Sequence, residues 1–352
     1  MSEAFPPAKP PQTKSAKRGL IIAGIVSLGV LAIYLLAATF LIFWPRESPF
    51  DVSRTKSHVF VAENVSNEYT TRMFTMSDGT KIAARLFGPD TDTLIIMMHG
   101  VASSQEMMKI PALMLQKSTG TQIMTIDLRG HGRSGGAPQD VPRIGQYEDD
   151  LIEIMTSLKR ETPKRHIVLA GHSMGGGIAM RYALKKNAPT PAAYLLIAPN
   201  FGEGPTEKKH DKTAPPKPAD QPSFVHFDTP RMIGQIMMNT LGLHMFDSEP
   251  VLFFNFPPKP KAYSYRAVMS AQPVRPNTSD KALQALTVPL LVQIGSKDEV
   301  FYAAAYDDFV SANSLGSTRL IEGEGHVSVL FSPKTHDNAA NWLRDLGLAP
   351  KE

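Results

Sequence analysis

The chain has no cysteine in its 352 residues, so a disulfide framework and thiolate-bound metal are both excluded. A chain of this length can bury a core large enough to need no disulfides, and their lack also fits an extracytoplasmic setting. Net charge is nearly absent as well: 37 Lys and Arg against 33 Asp and Glu leave +4. Part of that excess sits in the amino-terminal tail and in Lys208, Lys209 and Lys212, so there is no concentrated basic face for nucleic acid. No group of His, Asp and Glu shows metal-ligand spacing, and the sequence implies no metal and no cofactor. No long internal repeat is present. A hydrophobic content of 42% with 20% charged residues describes a globular protein.

Charge is missing altogether from one stretch, Leu20 to Trp44, LIIAGIVSLGVLAIYLLAATFLIFW. At 1.5 Å per residue a helix of this length reaches about 37 Å, enough to cross a hydrocarbon core of about 30 Å with some tilt. Trp44 sits where an interfacial aromatic belongs, and Lys14, Lys17 and Arg18 crowd the other flank. A cleaved signal peptide has a shorter apolar region and a small-residue cleavage site. Here the only match is Ala37-Ala38-Thr39, and the run is expected to be an uncleaved single-pass anchor. Lys9, Lys14, Lys17 and Arg18 before the span outnumber Arg46, Arg54 and Lys56 after it. The amino terminus is therefore expected in the cytoplasm, with the rest of the chain periplasmic or extracellular. Residues 1–19 read as a disordered basic tail and 45–57 as a linker.

Beyond the linker the informative stretch is the apolar run His166 to Ala170, leading into Gly171-His-Ser173-Met-Gly175 and then a helical pattern from Gly177 to Lys186. A serine on a strand-to-helix turn is exposed near the positive end of the helix dipole. Such a pentapeptide arises by chance in roughly one chain in ten of this length, so its neighbours decide. Leu94 to Met98 is a continuous apolar run before His99-Gly100-Val101. Gln122 to Asp127 opens into Leu128-Arg-Gly-His-Gly-Arg-Ser-Gly-Gly136. Ala192 to Ala198, Leu290 to Ile294 and Thr318 to Ile321 are further strand candidates, the last two followed by Gly295-Ser-Lys-Asp298 and Gly325-His326. Helical patterns, notably Tyr147 to Lys159, alternate with them. That alternation predicts an α/β fold, a mostly parallel sheet with helices on both faces, whose active site lies at the carboxyl ends of the strands.

These motifs, in this order, resemble the α/β-hydrolase superfamily, and most closely its monoacylglycerol lipase/lysophospholipase branch, whose domain is often labelled serine aminopeptidase-like. The similarity runs from about residue 71 to 346 and is weakest over 200–288. It implies that Ser173 is the nucleophile, His326 the general base and acid, and Asp298 the carboxylate that orients the imidazole. Glu299 is the neighbouring carboxylate, but the family pattern places the acid fourth in Gly-x-x-Asp. The backbone amides of Val101 and Met174 are the expected oxyanion hole. His99 and His131 read as loop-shaping hydrogen-bonders, and His172 as a residue that packs or bonds locally.

The resemblance also divides the chain. Residues 58–199 form the first part of the hydrolase core, 200–288 a cap or lid inserted between core strands six and seven, and 289–349 the second part. Within the insertion, the polar stretch from Lys208 to Pro222 reads as a mobile loop. Met232 to Met238 and Val251 to Phe256 either line an acyl-binding wall or pack the cap onto the core. The expected activity is serine-dependent cleavage of a carboxylic ester through an acyl-enzyme, on a monoacylglycerol, lysophospholipid or similar lipid-like substrate. A peptidase or amidase of the same branch is the alternative, and a non-catalytic binding protein of the same fold a more distant one.

Overall fold

The computed structural model describes residues 14–45, 68–202, 204–207, 225–255, 260–273 and 278–351. Residues 1–13 of the expected tail, the linker from residue 46 onward and the polar stretch 208–222 lie outside them. Two compact units are present, one formed by residues 1–47 with 228–249 and the other by 48–227 with 250–352.

The larger unit is built on an eight-stranded sheet: β1 (Thr70–Thr75), β2 (Lys81–Phe87), β3 (Thr93–Met98), β4 (Gln122–Ile126), β5 (His166–His172), β6 (Ala193–Ile197) and, beyond the insertion, β10 (Leu290–Gly295) and β11 (Ser317–Ile321). Their spatial order is β1-β2-β4-β3-β5-β6-β10-β11. The first two strands in that order pair antiparallel with their neighbours; from β4 onward the pairings are parallel. The central strands β3, β4 and β6 are buried at every position, as strands covered on both faces must be. The edge strand β1 alternates instead, with Phe74 inward.

The helices in this part are α2 (Lys109–Thr119), α3 (Gln146–Glu161) and α4 (Met174–Ala183). Between β6 and β10 come β7 (Val225–Phe227), α5 (Thr229–Thr240), β8 (Pro250–Phe254), β9 (Lys261–Ser264), α6 (Tyr265–Ser270) and α7 (Thr278–Gln284); α8 (Tyr306–Asn313) and α9 (Pro333–Asp345) complete the chain. Within the insertion β7, β8 and β9 form a separate antiparallel sheet. Helix α4 begins three residues before the helical pattern visible in the sequence, because Met174 and Gly175 already have helical backbone directly after the turn.

The smaller unit pairs α1 (Lys14–Phe43) with α5. Residues 18–43 are long and apolar enough to cross a membrane, with a mean hydropathy of 2.7. Ala38, Ile42 and Met238 form a small core, with Leu35, Met237, Leu243 and Phe246 against it. Met238 is therefore a packing residue of this helix pair. A side chain at Gly234 would stand 2.6 Å from the Ala38 carbonyl oxygen, so glycine sets how closely the two helices approach.

Candidate active site

Three loops at the carboxyl ends of parallel strands carry the three candidate catalytic residues. Ser173 lies between β5 and α4, Asp298 follows β10, and His326 follows β11. All three are largely buried. Ser173 has φ 52° and ψ −114°, a conformation that costs a non-glycine residue about 1–3 kcal/mol and persists only where its surroundings impose it. They do so here: its amide donates to the Ile197 carbonyl at 3.1 Å, and its own carbonyl accepts from Gly177 and Asn200. The flanking glycines are required by space. A Cβ on Gly171 would meet the Gly175 carbonyl carbon at 2.4 Å, and one on Gly175 would meet the Met98 carbonyl oxygen at 2.5 Å.

His326 donates from Nδ1 to Asp298 Oδ2 at 2.9 Å, which leaves Nε2 as the basic nitrogen of the neutral ring. The other Asp298 oxygen, Oδ1, accepts the amides of Val300 and Phe301, each at 2.8 Å. Burial pushes this carboxyl up, but the His326 hydrogen bond and charge and the two amides outweigh it and hold it below its ordinary range. Glu299 is engaged elsewhere, its Oε2 accepting the backbone amide of His326 at 2.9 Å. The structure thus pairs Asp298, not Glu299, with the imidazole.

His172 stacks at a tilt on His326, ring centroids 4.8 Å apart, and donates from Nε2 to the His326 carbonyl at 2.9 Å. Its neighbour in sequence is Ser173, and a Cβ placed on Gly100 would meet His172 Nδ1 at 3.0 Å and Ser173 Cβ at 3.3 Å. The His99-Gly100-Val101 turn therefore lies directly against the serine. Met174 is the first residue of α4, so its N–H is one of the helix's unpaired donors. Among the described residues neither the Val101 nor the Met174 amide has a backbone acceptor.

Two residues that the sequence did not single out clamp the Val101 turn. Tyr263 Oη accepts the Ala102 amide at 2.7 Å, and Lys261 Nζ donates to the Ala102 carbonyl at 2.8 Å. Ala102 itself has φ 58°, so β9 holds the residue after Val101 in a conformation it would not otherwise keep. The network continues inward. Tyr263 bonds His131 Nε2 at 3.0 Å, and His131 Nδ1 bonds the Arg129 carbonyl at 2.9 Å. A carbonyl only accepts, so Nδ1 carries the proton and the tyrosine hydroxyl donates to Nε2. His99 likewise donates to the Gly100 carbonyl at 2.7 Å and accepts from the Leu128 amide at 3.1 Å.

The Asp127-x-Arg-Gly-His-Gly-x-Ser134 stretch is scaffolding around these histidines. Asp127 accepts the amides of Gln105 and Arg133 at 2.7 and 2.8 Å. Arg129 forms a two-pronged pair with Asp150, at 2.8 and 2.6 Å, and also holds Asp78. Among the described residues no group of His, Asp and Glu is arranged to hold a metal ion.

A family model described as serine aminopeptidase, S33 matches residues 89–219. The monoacylglycerol lipase of Mycolicibacterium smegmatis is 24% identical over 253 residues, 68% of this chain and 83% of that protein. Among solved structures, a bacterial membrane phospholipase A superimposes with a TM-score of 0.53 at 19% identity, covering 96% of this chain and 100% of its own. Est1E of Butyrivibrio proteoclasticus, solved with ferulic acid bound, gives 0.53 at 18% identity over 78% of this chain and 99% of its own. The fold is that of the α/β-hydrolases, and in sequence this protein is similar to the monoacylglycerol lipase branch.

Proposed function

We propose that this protein is a membrane-anchored serine hydrolase that cleaves carboxylic esters of lipid-like acyl chains, with Ser173, His326 and Asp298 as its triad. The observation that carries the reading is the His326–Asp298 bond, 2.9 Å long, on loops that converge with a strained serine turn. His326 Nε2 takes the Ser173 proton as Oγ attacks the acyl carbon. The tetrahedral oxyanion is held by the Val101 and Met174 amides, and Asp298 stabilises the imidazolium. Protonation of the leaving alkoxide by His326 releases the alcohol and leaves an acyl-Ser173 ester. Water, deprotonated by the same nitrogen, then frees the acid and regenerates the serine.

Support for a lipid-like ester comes from the similarity to a monoacylglycerol lipase and from the apolar helix at the front of the chain. Residues 58–199 and 289–349 serve as the hydrolase core, and 200–288 as its cap. Leu20 to Trp44 anchors the protein in the bilayer, with the amino terminus cytoplasmic and the catalytic part on the opposite side. Full-length protein in detergent micelles would be given monoacylglycerols, lysophospholipids, nitrophenyl esters of graded chain length and aminoacyl amides. The reading expects turnover of the esters, rising with acyl length. Preference for the amides would replace it with a peptidase of the same branch.

A further inference from the structure

We propose that residues 228–249 form a second membrane-embedded element, a helix and turn seated in one leaflet beside the anchor, with lipid acyl chains covering its outer face. The inference rests on the reading of α1 as a membrane span. Its ground is that this segment is built the opposite way from a soluble helix and turn. Along α5, Gly234, Gln235 and Met238 point inward, while Ile233 and Ile236, one turn apart, point out and are 46% and 43% exposed. The following turn adds Leu241 and Met245, the latter 64% exposed.

Gln235, Asn239 and Asp247 turn inward and make hydrogen bonds, while Thr240, His244 and Ser248 are exposed toward the ends of the segment. Gln235, fully buried, donates to the carbonyls of Phe246 and Glu249 at 2.8 and 3.1 Å. Asn239 donates to the Gln235 carbonyl and to Asp247 Oδ1 at 3.0 and 2.6 Å. The second Asp247 oxygen pairs with His244 at 3.1 Å. Between Met232 and Leu243 there is no ionisable residue. Along the face of Ile233, Ile236 and Leu241, apolar groups outward with the Gln235 and Asn239 amide N–H groups bonded within is the arrangement that hydrocarbon selects, because lipid offers polar groups no partner.

The depth follows from where α5 meets α1. Tyr34 Oη donates to the Met237 carbonyl at 3.1 Å and bonds Thr240 Oγ1 at 2.9 Å. Arg231 Nε donates to the Ile42 carbonyl at 3.0 Å. Phe43 packs edge-on against Phe246, ring centroids 5.0 Å apart. Contacts therefore run from Tyr34 to Phe43, about 13 Å of helix, close to half of a hydrocarbon core of about 30 Å. If α1 spans, a partner locked along its last turns lies in the leaflet nearest Trp44. In sequence the segment leaves β7 and returns to β8, inside the insertion.

The lack of native cysteine allows one reporter at a time. Leu36→Cys, Ile236→Cys, Met245→Cys and, as an aqueous reference, the exposed Leu315→Cys would each be labelled with bimane in the full chain. Each would then be reconstituted into phosphatidylcholine vesicles with or without brominated acyl chains. At least a twofold loss of fluorescence in brominated lipid is expected at positions 36, 236 and 245, with none at 315. Quenching at 36 with none at 236 and 245 would overturn the inference and leave the anchor standing. No quenching at 36 would overturn both.

Discussion

Lowering the pH from 7 to 5 should remove a large share of the stability of the hydrolase core, and three buried histidines behind the candidate site are the reason. Burial holds His99 at about 4, where its bond to the Gly100 carbonyl only partly compensates. Burial and the neighbouring His99 hold His131 at about 3, and burial and His326 hold His172 at about 3. In the unfolded chain each returns to about 6.5. The folded values are the lower ones, so between them and about 6.5 the unfolded state binds more protons, and stability falls as pH falls. At pH 5 each histidine favours unfolding by about 2 kcal/mol, being roughly 1.5 pH units below its unfolded value at about 1.36 kcal/mol per unit. Together they cost about 6 kcal/mol, against a total of about 5–15 kcal/mol for a typical domain. Asp298 and Asp78 are also held below their ordinary values, so they too lose stability as pH falls, but only at lower pH. Their contribution is intact above about pH 4 and does not offset this loss. Urea titrations of the full chain in micelles, followed by near-UV circular dichroism at half-unit steps, would give stability against pH. The slope between pH 5 and 6 should correspond to about three protons taken up on unfolding. His131→Gln should remove about one of them whatever it costs in packing. A flat profile from pH 7 to 5 would refute the reasoning.

Three further outcomes follow from the site. Asp298→Asn should lower kcat by about a thousandfold to ten-thousandfold, whereas Glu299→Gln should stay within a few-fold, since an amide oxygen still accepts the His326 N–H; steady-state kinetics showing the reverse order would reassign the acid. Tyr263→Phe should lower kcat about tenfold with KM little changed, because it frees Ala102 and loosens the adjacent Val101 amide; unchanged kcat would make the clamp incidental. Gly175→Ala forces a methyl group onto the Met98 carbonyl and should lower the melting temperature and abolish turnover together; a variant as stable and active as wild type would contradict the crowding seen at the turn.

The sequence discloses the strands that are apolar throughout, because burial on both faces leaves a continuous run: Leu94 to Met98 is a plain example, and Leu290 to Ile294 is broken only by the buried Gln293. It does not disclose β1, where Thr70, Thr71 and Thr75 are exposed and only a residue or two marks the inward face. Ser173, Asp298 and His326 stand out because tight turns after strands carry glycines at fixed offsets. The clamp on Ala102 has no such local signal. Tyr263 and Lys261 come from 161 and 159 residues away, and a tyrosine in a β-rich stretch reads as ordinary packing. In sequence only the family pattern separates Asp298 from Glu299; the backbone gives the reason, Asp298 reaching the imidazole and Glu299 the His326 amide. Gly234 is similarly opaque: in sequence it only weakens a short helix, and its purpose is visible only with Ala38 beside it.

The central claim is that Ser173 is an activated nucleophile, and covalent capture tests it most directly. Wild-type protein and Ser173→Ala would be incubated with a fluorophosphonate probe and their intact masses measured, with circular dichroism to establish that both are folded. One phosphonyl adduct on wild type, mapped to the peptide containing Ser173, and none on the variant is the expected result. A folded wild-type protein that stays unmodified, or a Ser173→Ala protein labelled to the same extent, would contradict the account.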